Sequence, residues 1–442
     1  MRIFFMGKHG GSHPRENKER TSHLPITVAK VPEELVFPVS MHIGAPAEPV
    51  VEVGQKVKIG TLLAKAGGFV SAPVHSSVSG EVTAIEKRPT LNGSADCIVV
   101  KNDGQDSFEE SIREREETSD SKEILEIIRN AGIVGMGGAA FPTAVKLDPP
   151  KGSTIDTLII NGAECEPYST SDHRVMVEEG EEIIKGINVA RKLFPKLRQI
   201  FVAIEDNKPD AIEAMRKAAT EYKDIEVRPL RTMYPRGSEK NLIRDLTGRE
   251  VPPGGLPAGV RCVLMNVSTT RAVYRAVSLG EPLYQRVVSV SGTPVQDPKN
   301  LLVRVGTPVA SLLEECGGFS ESVYKLLSGG PMMGRALTDS SLPVIKAMTA
   351  ITALTEKEAR VGDESDCIMC SECINVCPVS LQPILISEAY NRGDLDAAKK
   401  LGAMDCIECG NCSYICPSRI PLLDNIRDAK AAIKAQQEKE GA

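Results

Sequence analysis

The sequence has no tryptophan and few other aromatic residues, with 8 tyrosines and 9 phenylalanines among 442 residues. Nucleic-acid-binding proteins stack bases on aromatic side chains or carry a basic excess, whereas the formal charge here is −6. We therefore expect no nucleic-acid partner. The chain also lacks an apolar run of about 18 residues, so no bilayer-spanning helix is expected. Its N-terminal apolar patch, Ile3–Met6, is much shorter than a signal-peptide core, which predicts a cytosolic protein.

What remains is typical of a globular protein with several domains. Hydrophobic residues make up 41% and charged residues 25% of the chain, and its length predicts about three domains at ~150 residues each. Residues 1–34 are polar and hold three of the six histidines, so we expect a solvated N-terminal arm. Residues 103–123 are acidic and nearly devoid of apolar side chains, which predicts a linker.

Residues 35–102 show short strand patterns separated by glycine and proline. Residues 50–60 alternate as a half-buried strand does. The strings VEVGQKVKIG and SAPVHSSVSGEV resemble the barrel-sandwich domain of lipoyl and biotinyl carriers. Those carriers modify a lysine on the hairpin between the two halves, and residues 67–71 contain none. The resemblance therefore implies the fold without the carrier function.

The rest of the chain predicts three further units. Residues 124–280 alternate helix and strand, as an α/β domain does, with expected helices over 124–128 and 179–193 and expected strands over 157–160 and 199–204. Residues 281–335, with a strand over 287–292 and a helix over 309–316, resemble a soluble-ligand-binding β-grasp (SLBB) domain. Residues 336–442 are expected to be helical, including helices over 385–390 and 395–401. The fold class is thus multidomain, α/β and α+β.

Eight of the 12 cysteines form two identical runs, CxxCxxCxxxCP, offset by 39 residues. In a reducing cytosol such spacing indicates metal or redox chemistry, and the third regularly spaced cysteine favours 4Fe–4S clusters over zinc. In two-cluster ferredoxins the fourth cysteine of each run binds the other cluster. We therefore assign one cluster to Cys367, Cys370, Cys373 and Cys416, and the other to Cys406, Cys409, Cys412 and Cys377. The scattered Cys97, Cys165, Cys262 and Cys316 are expected to be buried, inert thiols.

A glycine-rich loop, GMGGAAFPTAVK over residues 135–146, matches a dinucleotide fingerprint only superficially, because a helix rather than a strand precedes it. The loop resembles the GRGGAGFPTGxK loop of the flavin- and NADH-binding subunit of respiratory complex I. The strings NGAECEP, YPRGSE and NVST follow in the order of that family's further motifs. Glycine amides and a lysine are suited to holding the phosphate of FMN.

Carried over by position, this resemblance implies two sets of contacts. FMN would be held by Gly135, Gly137, Gly138, Lys146, Asn161, Glu164, Tyr234, Gly237, Asn266 and Thr269. The nicotinamide nucleotide would face Phe141, Glu166 and Glu239. The chain departs from the family at Ala163, where the family has aspartate, and at Ser238, where it has glutamate.

The whole chain resembles the RnfC family, whose members belong to the Rnf complex, an ion-translocating ferredoxin:NAD oxidoreductase. The strings GGSHPRENKERT, HIGAPAEPVVEVGQKV and FVSAPVHSSVSGEV carry this resemblance beside the motifs above. It implies a peripheral subunit on the cytoplasmic membrane face that passes electrons between NAD(H), FMN, two clusters and partner subunits. Two alternatives stay open. One is a soluble electron-transfer subunit of a reductase, such as a proline reductase, and the other is a cluster-bearing scaffold without flavin.

Overall fold

A computed structural model of the protein describes residues 10–360 and 362–441. The apolar patch Ile3–Met6 and His9 lie outside these residues. Four sheets and a C-terminal helical module make up the fold. Every helix in the described ranges is too short or too polar to traverse a bilayer.

The N-terminal part begins with β1 (Ile26–Val28) and then builds two small sheets. The first has the order β2-β8-β7-β4 and the second the order β3-β5-β6. Inward-facing side chains such as Leu35, Phe37 and Ile98 are fully buried between them. Residues 50–55, expected to be strand, form a loop, and only Lys56–Val57 pairs within that stretch, so this expectation is wrong in part. The strands are β2 (Glu34–Pro38), β3 (Glu48–Pro49), β4 (Lys56–Val57), β5 (Leu62–Lys65), β6 (Val74–His75), β7 (Gly80–Thr90) and β8 (Gly93–Asn102).

The α/β unit has a parallel four-stranded sheet of order β11-β10-β9-β12. Its central strands are continuously apolar because both faces are covered: Leu158 and Ile160 enter one core, and Ile159 enters the other. The expected helices and strands are confirmed. The elements are α1 (Ser121–Asn130), α2 (Thr143–Leu147), β9 (Thr157–Gly162), α3 (Ser171–Glu178), α4 (Gly180–Arg191), β10 (Gln199–Glu205), α5 (Pro209–Ala218), β11 (Ile225–Leu230), α6 (Glu239–Thr247), a 3₁₀ turn (Pro257–Val260), β12 (Cys262–Asn266) and α7 (Val267–Leu279).

A six-stranded mixed sheet follows, in the order β1-β14-β13-β17-β15-β16. It takes in β1 from the N-terminal arm, which pairs in parallel with β14. The expectation that the arm is solvated is wrong for its described part, because Ser12, Lys18 and Thr21 are 5%, 7% and 0% exposed. The elements are β13 (Gln285–Ser291), β14 (Lys299–Arg304), α8 (Val309–Glu315), β15 (Lys325–Ser328), β16 (Arg335–Ala336) and β17 (Ala350–Leu354).

The C-terminal module is helical, and both expected helices between the cysteine runs are confirmed. Ile386, Ala389 and Ala398 from these helices pack against Ile426 and Ile433 of the last helix. The two cysteine runs therefore extend from one shared core. The elements are α9 (Glu356–Ala359), α10 (Glu372–Asn375), α11 (Pro383–Asn391), α12 (Leu395–Lys400), a 3₁₀ turn (Ala403–Asp405), α13 (Asn411–Ile415) and α14 (Leu422–Gly441).

Candidate functional site

The glycine-rich loop lies between α1 and α2 and is fixed at its base. The amide of Gly135 donates to the Phe141 carbonyl at 2.8 Å, and the amide of Met136 donates to Thr269 Oγ1 at 2.8 Å. At the tip, Gly138 has a φ of +115°, and no described atom lies within 4 Å of the position a Cβ would take. The loop thus presents backbone beside open space, as a phosphate cradle requires.

Lys146 and Glu239 meet at the side of this loop. Lys146 is in α2, Glu239 is the first residue of α6, and Nζ lies 2.8 Å from Oε1. The side chains are 32% and 35% exposed, so the pair contributes little stability. An anion brought in by a ligand would therefore compete for the Lys146 ammonium at small cost.

Asn161, Gly237 and Ala163 form a second wall of the site. Asn161 lies in β9, and its Nδ2 donates to the Gly237 carbonyl at 2.9 Å. Its Oδ1 accepts from the Ala163 amide at 3.1 Å. These contacts lie at the carboxyl end of a parallel strand, where open α/β sheets bind their ligands.

Asn266 ends the neighbouring strand and caps α7. Its Oδ1 accepts from the amides of Ser268 and Thr269 at 2.9 and 3.2 Å. Its Nδ2 donates to Asp172 at 2.6 Å, and the Ser268 hydroxyl donates to the same carboxylate at 2.6 Å. Burial, reinforced by the nearby Glu164 charge, raises the pKa of Asp172 to about 6. Sequence reasoning missed Asp172, which no motif singles out.

The structure gives Glu164 a different role from flavin contact. Its carboxylate accepts from the Asp172 and His173 amides at 2.8 and 3.0 Å, so it caps α3. Burial acts to raise the pKa of Glu164, but the positive charges of Lys18 and Lys208 lower it below its usual value. Lys18 donates to the Glu164 carbonyl at 2.6 Å and Lys208 to the Ala163 carbonyl at 2.7 Å. Two buried lysines thus hold this segment, and sequence reasoning found neither.

Glu166 is held by the loop between β15 and β16. Its two carboxylate oxygens accept from the amides of Met332 and Met333 at 3.2 and 2.7 Å. Loss of solvation raises the pKa of Glu166 to about 7. A carboxyl group that titrates near neutral pH in a cleft is a candidate functional group.

Tyr234 points away from the glycine-rich loop and towards the cysteine runs. It is 2% exposed, and its hydroxyl donates to the Cys409 carbonyl at 2.7 Å. Burial raises the pKa of this phenol above its usual value. The structure therefore places Tyr234 at the junction between the α/β unit and the C-terminal module.

The cysteines fall into two neighbourhoods that each draw on both runs. Cys377, Cys406, Cys409 and Cys412 together line a cavity of about 340 Å³. Burial raises the pKa of Cys409 to about 11 and that of Cys412 to about 12, and the adjacent thiols raise both further.

The other neighbourhood contains the remaining four cysteines of the runs. Burial raises the pKa of Cys373, and the thiols of Cys416, Cys367 and Cys370 raise it further. Among residues 10–360 and 362–441, no three His, Cys, Asp or Glu side chains close around a single metal ion. The four thiols around the cavity are instead the soft donors that an iron–sulfur cluster takes.

The scattered cysteines behave largely as expected. Cys97, Cys262 and Cys316 are buried, while Cys165 is partly exposed. A Cβ on Gly237 would lie 3.6 Å from the Cys165 sulfur, so this thiol borders the candidate site.

Comparison with known protein families gives four matches in chain order. Residues 6–105 match the RnfC barrel-sandwich hybrid domain and residues 128–275 the Nuo51 FMN-binding domain. Residues 287–336 match the SLBB domain and residues 360–417 the 4Fe–4S dicluster domain. These matches confirm the expected fold class.

Several curated proteins are similar over almost the whole chain, and each is the C component of a multi-subunit complex. That of the Na(+)-translocating ferredoxin:NAD(+) oxidoreductase complex of Acetobacterium woodii is 44% identical, over 97% of this chain and 98% of its own length. That of the proton-translocating ferredoxin:NAD(+) oxidoreductase complex of Clostridium ljungdahlii is 47% identical, over 86% of this chain and 83% of its length. That of the ion-translocating oxidoreductase complex of Rhodobacter capsulatus is 44% identical, over 97% and 83%.

Proposed function

This chain belongs to the RnfC family, and on that premise we propose that it is the NAD(H)-reacting subunit of an ion-translocating ferredoxin:NAD(+) oxidoreductase. The observation that carries the proposal is the near-full-length similarity to the RnfC components of such complexes. The site supports it, because a phosphate-cradle loop and a cysteine-lined cavity belong to units that meet at Tyr234. The relatives include a Na⁺-translocating and a proton-translocating complex, so the ion stays open.

The residues around the loop fit FMN. The amides of Gly135, Gly137 and Gly138 and the Lys146 ammonium would hold its phosphate. Asn161, Gly237, Asn266 and Thr269 shape the walls of the same site. Bound there, FMN would supply the exchange between the two electrons of a hydride and single electrons.

The nicotinamide side is assigned to Phe141, Glu166 and Glu239. Glu239 engages Lys146 and would be released when a phosphate takes the ammonium. Glu166, whose carboxyl group has a pKa of about 7, would change charge in the physiological range. Both acidic groups would then limit where a negatively charged nucleotide can lie.

The eight cysteines of the runs are proposed to hold two 4Fe–4S clusters. One set is Cys377, Cys406, Cys409 and Cys412, which share a cavity. The other is Cys367, Cys370, Cys373 and Cys416, whose thiols neighbour one another. Electrons would leave through other subunits of the complex. We place the protein peripherally on the cytoplasmic face of the membrane, held there by those partners.

The test is to purify the full chain without oxygen and to measure flavin, iron and NADH:ferricyanide activity. We expect bound FMN, NADH-dependent reduction and about eight iron atoms per chain, four for each cluster. Iron without flavin would contradict the proposal and favour the flavin-free scaffold, which the departures at Ala163 and Ser238 keep open. Full flavin and iron without any reaction with NADH would favour the electron-transfer subunit of a reductase.

Substitution of Lys146 separates the two cofactor sites. K146A should lose FMN, because the cradle loses its predicted cationic partner, while iron content stays at the wild-type value. K151A is the matched control, since Lys151 is an exposed lysine five positions along the chain, and it should keep both cofactors. Parallel loss of iron in K146A would show that the sites do not assemble independently.

A further inference from the structure

We propose that the two cysteine sets act in a fixed order: the set of Cys377, Cys406, Cys409 and Cys412 is the inner redox centre, next to the flavin-type domain. The set of Cys367, Cys370, Cys373 and Cys416 is the outer centre, which exchanges electrons with other proteins. This inference rests on the proposed function. It assigns an order that the repeated motif alone leaves symmetric, since both runs have the same spacing.

The first contact that favours this order is the hydrogen bond from Tyr234 to the Cys409 carbonyl at 2.7 Å. Tyr234 belongs to the YPRGSE string, and its neighbour Gly237 is bonded to Asn161 in the candidate flavin site. A single buried side chain therefore joins the wall of that site to a cysteine of the inner set.

The second contact is a buried polar network around Tyr234. Ser12 and Tyr234 exchange two backbone hydrogen bonds of 2.9 Å. The Ser12 hydroxyl donates to Asn411 Oδ1 at 2.6 Å, and Asn411 Nδ2 donates to the Tyr234 carbonyl at 3.2 Å. Asn411, 1% exposed, lies between Cys409 and Cys412. The N-terminal arm thus fixes the inner cysteine loop against the α/β unit.

A third contact comes from the nicotinamide side. A Cβ on Gly410 would lie 2.8 Å from the Met332 carbonyl, so this glycine permits close packing of the two loops. The Met332 amide in turn donates to Glu166 at 3.2 Å. The inner cysteine loop therefore abuts both loops that carry the predicted flavin and nicotinamide contacts.

The outer set has the opposite environment. Cys367 and Cys370 are exposed, and between them Ile368 and Met369 are 67% and 87% exposed. The segment before Cys367 is anchored within its own module, since the Ser418 hydroxyl donates to the Asp366 carbonyl at 2.8 Å. A centre bound here is open to solvent and to other proteins on one side and faces the inner set on the other.

The electron balance requires both centres to be used. Oxidation of NADH releases two electrons and one proton and yields NAD⁺, whereas each cluster accepts one electron. Because electron transfer slows steeply with distance, the centre next to the flavin site accepts each electron first and passes it on. A partner redox protein, or ferricyanide in the assay, takes the two electrons from the outer centre.

Two double variants of the full chain test the order. C367A/C370A removes the outer centre and C406A/C409A removes the inner one, and iron and flavin analysis confirm that each keeps flavin and the other cluster. Each is mixed with NADH and freeze-quenched for electron paramagnetic resonance, and a parallel sample receives dithionite, which reduces any cluster. We expect C367A/C370A to retain NADH-driven reduction of its cluster and C406A/C409A to lose it while dithionite still reduces the outer cluster. The reverse pattern, or equal NADH-driven reduction in both variants, would overturn the order.

Y234F keeps the order testable if removal of the inner centre disturbs the fold. It preserves the ring and all cysteines but deletes the hydrogen bond to Cys409, so NADH-driven reduction of both clusters should slow together by about fivefold, the rate equivalent of about 1 kcal/mol. Y222F, at a partly buried tyrosine elsewhere in the α/β unit, should leave both rates unchanged. Slowing of the outer cluster alone would contradict the order. A wild-type chain that binds no flavin, or whose clusters NADH never reduces, would instead refute the proposed function.

Discussion

Replacing Glu164 by alanine distinguishes a structural role for this residue from the cofactor contact that family resemblance predicts. In the structure its carboxylate accepts hydrogen bonds from the Asp172 and His173 amides, at 2.8 and 3.0 Å. The hydroxyls of Ser169 and Ser171 also donate to it, at 3.1 and 3.3 Å. E164A removes all four contacts and leaves the first amides of α3 without an acceptor.

The cost follows from the two backbone bonds. A hydrogen bond to a charged group contributes about 1.5–3 kcal/mol, and the lower end applies because Glu164 keeps some contact with solvent. Two such bonds give a loss of about 3 kcal/mol in the free energy of unfolding, somewhat above an ordinary N-cap substitution. For a domain of this size that corresponds to a fall in Tm of roughly 10 °C.

Thermal unfolding followed by circular dichroism and by flavin fluorescence measures both properties at once. E164A should lower Tm, while flavin content at a temperature well below the transition stays close to the wild-type value. E213A, at an exposed glutamate on α5, is the control and should change Tm by no more than about 1 °C. An unchanged Tm with loss of flavin would refute the capping role and restore Glu164 as a direct cofactor contact.

Three further predictions concern ionisable groups. The folded Glu166 carboxyl has a pKa of about 7, whereas its usual pKa is 4.5, so stability should fall as pH rises between these values, and E166Q should abolish that slope in Tm. Burial lowers the pKa of Lys346 from 10.5 to about 7, so stability should rise with pH across that range, and K346M should remove the rise. Burial raises the pKa of Cys316 to about 12, so peptide mapping should find it unalkylated after iodoacetamide treatment of the folded protein at pH 8.

Local pattern was sufficient to predict most of the elements. The β9 and β10 strands are apolar without interruption because both faces are buried, and the sequence shows this directly. The cysteine repeat likewise indicated that each set would borrow its fourth member, and Cys377 lines the same cavity as Cys406, Cys409 and Cys412. Both features depend on spacing within a short stretch of chain, which a sequence displays.

The network around residues 163–166 could not be predicted in the same way. Lys18 reaches Glu164 from 146 residues away, and Asp172 meets Asn266 across 94 residues. A lysine in a polar segment and an aspartate at the start of a helix are both common on protein surfaces. Their burial depends on partners that the tertiary fold brings to them, and no local spacing encodes those partners.

The N-terminal arm shows why composition misled. Its polar residues predicted solvation, yet Ser12 bonds to Tyr234 and Asn411, and Arg20 donates to the Gly292 and Val295 carbonyls at 2.7 and 2.9 Å. A polar segment is compatible with burial when each group finds a partner, because satisfied hydrogen bonds offset the loss of water.

The same segment explains how the order of the redox centres would be maintained. Ser12 pairs with Tyr234 of the α/β unit and with Asn411 of the cysteine loop, while β1 adds a strand to the six-stranded sheet. The arm completes its contacts only when all three units are in place. Misplacement of the cysteine loop would strand the Ser12 hydroxyl and the Asn411 amide without partners in a buried site, at about 1–3 kcal/mol for each group. That cost favours one docking geometry of the inner set over alternatives that would bring the outer set to the flavin site.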